Sequence, residues 1–183
     1  MPNFIYIATS LDGFIARQDG SIDWLNHIEN PEGSDYGYQD FISEIDAVVM
    51  GRGTYEMVVK FGIFPYTCPV FVLSTTLKQL KAKAGKVTVL SKDPPAIVKE
   101  LNSMGYRNLY VDGGKTIQGF LHFNLIDEMI ITKIPVLLGS GIPLFGRLDH
   151  ELKFRHIETI IYKNGLVKSH YEKISNKRDY RGF

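Results

Sequence analysis

Val48-Val49-Met50-Gly51-Arg52-Gly53-Thr54-Tyr55-Glu56 and Leu109-Tyr110-Val111-Asp112-Gly113-Gly114-Lys115-Thr116-Ile117 follow one pattern. An apolar, strand-like run stops at glycine, and a segment with helical character begins at once with a cation beside the turn. Glycine lets the backbone turn sharply and come close to a ligand. The helix that follows offers N–H groups without intrahelical partners at the positive end of its dipole. That combination suits phosphate or pyrophosphate. Two such units in one small chain point to a dinucleotide gripped at both ends.

Neither segment is a standard nucleotide motif. A P-loop needs a glycine five residues before Gly114, where this chain has Leu109. A Rossmann fingerprint opening at Gly51 would place its third glycine on Glu56. Either segment alone is equally well a tight strand-to-helix turn with no ligand, since every α/β domain needs such turns. The hydroxyl-rich strand end Ser74-Thr75-Thr76 between them tips the balance toward a ligand, because open α/β sheets bind cofactors at strand C-termini.

Working outward, Phe4–Ala8, Ala47–Met50, Val70–Leu73, Val87–Leu90, Leu109–Val111 and Glu128–Ile134 read as strands. Helices are expected from Asp35 to Ile45, from Tyr55 to Lys60 with Thr54 as cap, after Asp93-Pro94 as far as Gly105, and from Thr116 to Phe123. Residues Gln18 to Gly37, rich in Gly, Asp, Asn and Ser, read as a long loop carrying the only tryptophan, Trp24. Asn164-Gly165 between two strand-like runs predicts a C-terminal hairpin. The expectation is a three-layer α/β/α fold, with a mixed, mostly parallel sheet closed by an antiparallel hairpin, and residues 1–183 as one domain.

Bulk properties exclude several classes. A chain of 183 residues can bury roughly 70% of its unfolded surface, so it needs no staples. A formal charge of +1 gives no support to nucleic-acid or anionic-membrane binding. A single cysteine, Cys68, rules out an internal disulfide and makes a zinc site improbable, and no histidine pair has metal-ligand spacing. With no signal-like N-terminus and no apolar run of ~18 residues, a cytoplasmic location is expected. The basic tail, with Lys177, Arg178 and Arg181, reads as a frayed terminus or a cover for a neighbouring subunit.

Four stretches taken together resemble a known family: Ser10-Leu11-Asp12-Gly13-Phe14-Ile15-Ala16, Met50 to Glu56, Asp112-Gly113-Gly114, and Asp127-Glu128 leading to Pro135 through Phe145. In order and spacing the chain is similar to the dihydrofolate reductase-like superfamily, in the branch of the RibD C-terminal domain, the reductase half of bifunctional riboflavin-biosynthesis enzymes. The resemblance implies an oxidoreductase using NADPH on a small pterin-like or ribosylamino-pyrimidine substrate. It places Ala8 against the nicotinamide. Gly51, Arg52, Gly53 and Thr54 would hold the phosphates, Leu73, Ser74 and Thr75 would line the adenosine side, and Gly113, Gly114, Lys115, Thr116 and Ile117 would close from the other helix. Selection for the 2′-phosphate would rest on Arg52, Ser74 and Lys92 or Lys115, because Gly53 stands where many relatives have a basic or polar side chain.

Asp35 lies fifteen residues before Met50, the spacing at which folate reductases carry the acid that binds the pterin ring. It is therefore the expected substrate anchor or proton source, although its place at a helix start equally suits a capping role. Asp12 and Trp24 are the secondary substrate-binding candidates, on the wall and lid of the cleft; for Trp24 a packed anchor is the stronger expectation. A homodimer through edge strands is the family's habit. The alternatives are an NADP-binding module of this fold without turnover, and a reductase outside the folate and riboflavin pathways.

Overall fold

The computed structural model describes residues 2–62, 64–77 and 87–174; the basic tail read from the sequence lies outside them. In chain order the elements are β1 (Asn3–Ser10), β2 (Phe14–Ala16), a 3-10 turn (Asp23–His27), α1 (Tyr38–Ser43), β3 (Ala47–Gly51), α2 (Arg52–Lys60), β4 (Val70–Leu73) and β5 (Val87–Leu90). They continue with α3 (Pro94–Ser103), β6 (Leu109–Asp112), α4 (Gly114–His122), β7 (Glu128–Ile134), β8 (Ile142–Pro143), β9 (Phe154–Ile161) and β10 (Val167–Lys173).

The main sheet has eight strands in the order β5-β4-β3-β6-β1-β7-β10-β9. Pairing is parallel from β5 to β7, and antiparallel where the terminal hairpin adds β10 and β9. Alternation along the strands sends side chains to opposite faces. One face carries Ile5, Val49, Leu109, Val111 and Met129 against Ile97 and Leu101 of α3 and Ile117, Phe120 and Leu121 of α4. The other carries Val48, Met50, Val70, Val72 and Tyr110 against Ile42 of α1 and Tyr55 of α2. These are the expected three layers. The small β2–β8 pair had no signature in the sequence, because each partner is only two or three residues long.

Element boundaries moved where backbone conformation intervenes. Asp35 does not enter α1: Tyr36 and Gly37 both take positive φ, 57° and 87°, and the helix starts only at Tyr38. Thr54 is not the cap of α2. That helix begins at Arg52, directly after β3, and Thr54 lies in its first turn facing Gly113. Likewise Gly113, at φ 89°, lets α4 begin at Gly114 with no loop. By contrast α3 follows its sequence signals: Asp93 accepts from Ala96 N–H at 2.9 Å, and Gly105 ends it at φ 95°.

The sheet is split at one place. β1 pairs with β6 only at Asn3↔Leu109 and Phe4↔Tyr110, whereas β1 continues along β7 to Ser10↔Ile134 and β6 continues along β3 to Met50↔Asp112. Beyond Phe4 the two central strands diverge and leave a slot toward the C-terminal edge.

The two turns of the glycine segments are distinguishable by mutation. A Cβ at Gly113 would need a left-handed conformation and would strike Thr54 Oγ1, whereas a Cβ at Gly53 meets nothing within 4 Å. Gly113→Ala is expected to lose about 2–3 kcal/mol in urea unfolding, while Gly53→Ala is neutral or up to about 1 kcal/mol more stable. Equal effects at the two positions would contradict the described packing.

Candidate active site

Because β3 and β6 are neighbours, the helices that follow them start side by side. A Cβ on Gly51 would stand 2.9 Å from Thr116 Oγ1, and one on Gly113 would overlap Thr54 Oγ1, so the two helix N-termini converge on one spot. Neither end has a side-chain cap. The first-turn N–H groups of α2 and α4 are thus open where those of α3 are closed by Asp93, a ready seat for anionic oxygens. A side chain at Gly113 would meet Thr54 before it met any ligand. Thr116 is buried beside Gly51. Lys115 is exposed on the first turn of α4, and Ile117 has its side chain in the core and its N–H on Gly113 C=O at 2.9 Å.

Ala8 borders the slot. Backbone N–H and C=O groups alternate between the two edges of a strand. Tyr6 C=O turns toward β6 and accepts from Tyr110 Oη at 2.9 Å, so the backbone groups of Ala8 turn the same way, past the last β1–β6 pair. A planar carboxamide entering the slot would meet a donor and an acceptor there.

At the far end, Arg52 reaches across the C-terminal edge. Its Nε donates to Glu56 at 2.7 Å and its Nη1 to Thr76 Oγ1 at 3.1 Å. Ser74 Oγ accepts from Thr76 N–H and Leu77 N–H at 3.2 and 3.0 Å, which gathers Arg52, Ser74 and Thr76 into one polar corner. Leu73 ends β4 beside it and Thr75 is exposed. Lys92 stands apart, bonded to Glu100 of α3 at 2.9 Å.

The acidic candidates separate clearly. Asp35 is exposed, and its two carboxylate oxygens accept from Gly37 N–H at 2.9 Å and Gln39 N–H at 2.8 Å; these bonds hold its carboxyl below the usual range. It is an acceptor near neutrality. Asp12 accepts from Ser10 Oγ at 2.5 Å and from the N–H groups of Leu138 and Gly139 at 3.2 and 2.7 Å, and so ties the β1–β2 turn to the segment before β8. Trp24 is 3% exposed, packed on Ile134 and Leu166, with Ala8 and Tyr36 at the border of that cluster. It anchors the long loop.

Asp112 was quoted from the sequence only as part of a glycine motif. Its one signal was its place, the last strand residue before the Gly113 turn. Tyr38, Tyr66 and Tyr110 surround it, and Tyr66 Oη lies 3.5 Å from Oδ2. Burial pushes the Asp112 carboxyl up to about 6, against hydrogen bonds from Gly113 N–H, Tyr66 and Tyr110 that lower it. Burial first, and Asp112 second, also push the three phenols above their ordinary value. A carboxyl held between protonation states near neutral pH, beside the slot, is the arrangement that acid–base chemistry requires.

An open α/β sheet split between its central strands, with two helix N-termini at the split, is the dihydrofolate reductase-like architecture. The model of the RibD C-terminal domain matches residues 4–167, and the chain belongs to that family. It is 46% identical over 156 residues to YwjB, an uncharacterized protein of Bacillus subtilis (strain 168), covering 82% of this chain and 86% of that one. A crystal structure from Shewanella sp. PV-4, of a protein provisionally named for riboflavin biosynthesis, superposes with a TM-score of 0.91 at 43% identity, covering 95% of this chain and 99% of that one. The Thermotoga maritima diaminohydroxyphosphoribosylaminopyrimidine deaminase/5-amino-6-(5-phosphoribosylamino)uracil reductase shares the fold, with a TM-score of 0.71 at 15% identity. The match covers 94% of this chain and 56% of that longer one. No helix among the described residues is long and apolar enough to cross a membrane.

The raised Asp112 carboxyl makes a signed prediction. The folded state holds this proton up to about pH 6, the unfolded chain only to the ordinary 3.8. Ionisation therefore weakens folding, and this group's penalty is absent below the lower value and complete above the higher one. Asp112→Asn is expected to be more stable than wild type at pH 8, by on the order of 2 kcal/mol in the ligand-free protein, with the advantage vanishing toward pH 4. A pH-independent difference in melting temperature would contradict the burial of the charge.

Proposed function

We propose that this protein is an NADPH-dependent reductase acting on a small pterin-like or ribosylamino-pyrimidine substrate. The observation that carries it is the slot between β1 and β6, bordered by Ala8 and flanked by the uncapped N-termini of α2 and α4. The residues fit the cofactor part by part. First-turn amides at Gly53-Thr54 and Lys115-Thr116 suit the pyrophosphate, Arg52 with Ser74 and Thr76 suits the adenosine 2′-phosphate, and the Ala8 backbone suits the carboxamide. Bound there, the cofactor supplies a hydride.

The chain's own residues orient the substrate and manage the proton. Asp35, charged near neutrality, accepts N–H bonds from an amino-substituted ring edge with the lone pairs that Gly37 and Gln39 leave free. Asp112 gives its carboxyl proton to the ring or imine nitrogen next to the carbon that gains the hydride, so that a C=N bond becomes CH–NH. Burial, opposed by hydrogen bonds from Tyr66 and Tyr110, sets its affinity for the proton near the working pH. Family membership supports reductase chemistry of the riboflavin type. The substrate choice rests on the Asp35–Asp112 pair.

Calorimetric titration with NADPH and NADH tests the assignment. Arg52→Gln is expected to weaken NADPH about tenfold while leaving NADH within about twofold, because only the former offers a phosphate to the lost fork. Equal effects on both would remove the 2′-phosphate from this corner. NADPH oxidation with a panel of dihydropterins and ribosylamino-pyrimidines then separates a reductase from a binding module. Tight binding without oxidation across the panel would favour the module.

A further inference from the structure

The backbone carbonyl of Tyr36 is over-subscribed. It accepts from Lys168 Nζ at 2.6 Å, Tyr6 Oη at 2.8 Å and Tyr162 Oη at 3.2 Å. A carbonyl oxygen has two lone pairs, so three donors compete for two places. The donors come from β1, from the end of β9 and from β10, and Tyr36 meets them only by adopting a left-handed conformation, φ 57°, that costs a non-glycine residue on the order of 1 kcal/mol or more. Its ring is held as well: Asn164 Nδ2 donates to Tyr36 Oη at 2.8 Å, and the Tyr162 ring packs edge-on against it. Gly37 follows at φ 87°, a conformation side chains rarely adopt, and a Cβ there would stand 3.1 Å from Lys168 Nζ.

The cluster borders the proposed substrate cleft. Ala8, Thr132 and Lys168 are direct cross-strand partners, so their side chains stand in one row on the face that carries α1. Strands lie about 4.8 Å apart, which puts the Lys168 backbone about 10 Å from Ala8, a span that a lysine side chain and one heteroaromatic ring fill. On the other side is Asp35, whose carboxylate feels the Lys168 charge. An acceptor thus stands next to a cluster with more donors than its acceptor can use. Lys168 has three N–H bonds to give, of which one goes to Tyr36, and its ammonium lies 5.8 Å from the Tyr162 ring centroid.

We propose that Lys168, with Tyr6 and Tyr162, forms a subsite for a carbonyl oxygen on the substrate ring, and that Asp35 takes the N–H beside that oxygen. The ligand class is a cyclic lactam or amidine-lactam. Tyr36 C=O holds the donors in place when the cleft is empty and keeps its best bonds when a second acceptor arrives. A ring lacking the oxygen leaves a partly buried ammonium without that partner, so the subsite discriminates by oxo substitution. This rests on the cleft assignment made above for the reductase.

The test compares two probes, 5,6-diaminouracil and 4,5-diaminopyrimidine, which lacks the ring oxygens, titrated into NADP⁺-loaded protein. Wild type is expected to prefer the oxo probe by about tenfold or more, and Lys168→Met to reduce that preference to within about twofold at unchanged NADP⁺ affinity. Lys168→Arg is expected to retain most of it, and Tyr162→Phe, which keeps the ring packing, to lose about twofold. Absence of a preference in wild type, or an undiminished one in folded Lys168→Met, overturns the subsite. Should that variant fail to fold, an undiminished preference in Tyr162→Phe overturns it instead. NADP⁺ affinity, measured first, reports on the cofactor assignment separately. Protein that binds NADP⁺ without oxo preference refutes the subsite alone. Protein that binds no NADP⁺ refutes the cofactor assignment, and the preference is then read on the ligand-free chain.

Discussion

Thr54 and Gly113 set how closely α2 and α4 can approach, and the C-terminal edge of the sheet is organised around that contact. With any side chain at Gly113 the Thr54 hydroxyl would be displaced and the two helix starts pushed apart. Their proximity has an electrostatic consequence. Two positive dipole ends repel, and neither is neutralised by a capping side chain. The arrangement tolerates that repulsion only because packing below it is rigid: Val49, Val111, Ile117 and Phe120 are in one fully buried cluster. A bound diphosphate would convert the repulsion into attraction. One of the two strands that bring the helices together, β6, also parts from β1 beyond Phe4, so the helix starts and the slot share a strand.

The protein places two carboxyl groups in opposite environments. Asp35 is exposed and charged, its oxygens bonded by backbone amides; Asp112 sits among tyrosines with its carboxyl pushed up to about 6. Such a divergence lets one group accept hydrogen bonds while the other carries a proton. The long loop between β2 and α1 takes part through its anchors: Trp24 in the cluster with Ile134, and Asn164 at the hairpin tip bonding both Glu29 C=O and Tyr36 Oη. The terminal hairpin is therefore more than an edge, because its tip holds the long loop in place.

Much of this was legible in the sequence, for local reasons. Strand runs such as Val70–Leu73, the Asn164-Gly165 turn and the Asp93-Pro94 start of α3 each carry their signal within a few residues. The glycine segments located the two converging helix starts because close backbone approach demands glycine at fixed places. What escaped reading depends on contacts between distant segments. Asp112 is ordinary in sequence and becomes unusual only when Tyr38, Tyr66 and Tyr110 fold around it. Asp35 was placed inside a helix by periodicity, but the left-handed pair Tyr36-Gly37, stabilised by Lys168 from β10, moved it outside. Thr54 looked like a cap by type and instead faces Gly113.

The central claim is that a nicotinamide dinucleotide lies with its pyrophosphate at the two helix starts and its reactive ring in the slot. A crystal structure of the protein grown with NADP⁺ tests it most directly. The account predicts the carboxamide on the backbone N–H and C=O of Ala8, the pyrophosphate on first-turn amides of α2 and α4, and the 2′-phosphate beside Arg52 and Thr76. Density for the dinucleotide elsewhere, or a nicotinamide outside the divergence of β1 and β6 with Tyr6 C=O still bonded to Tyr110, would contradict it.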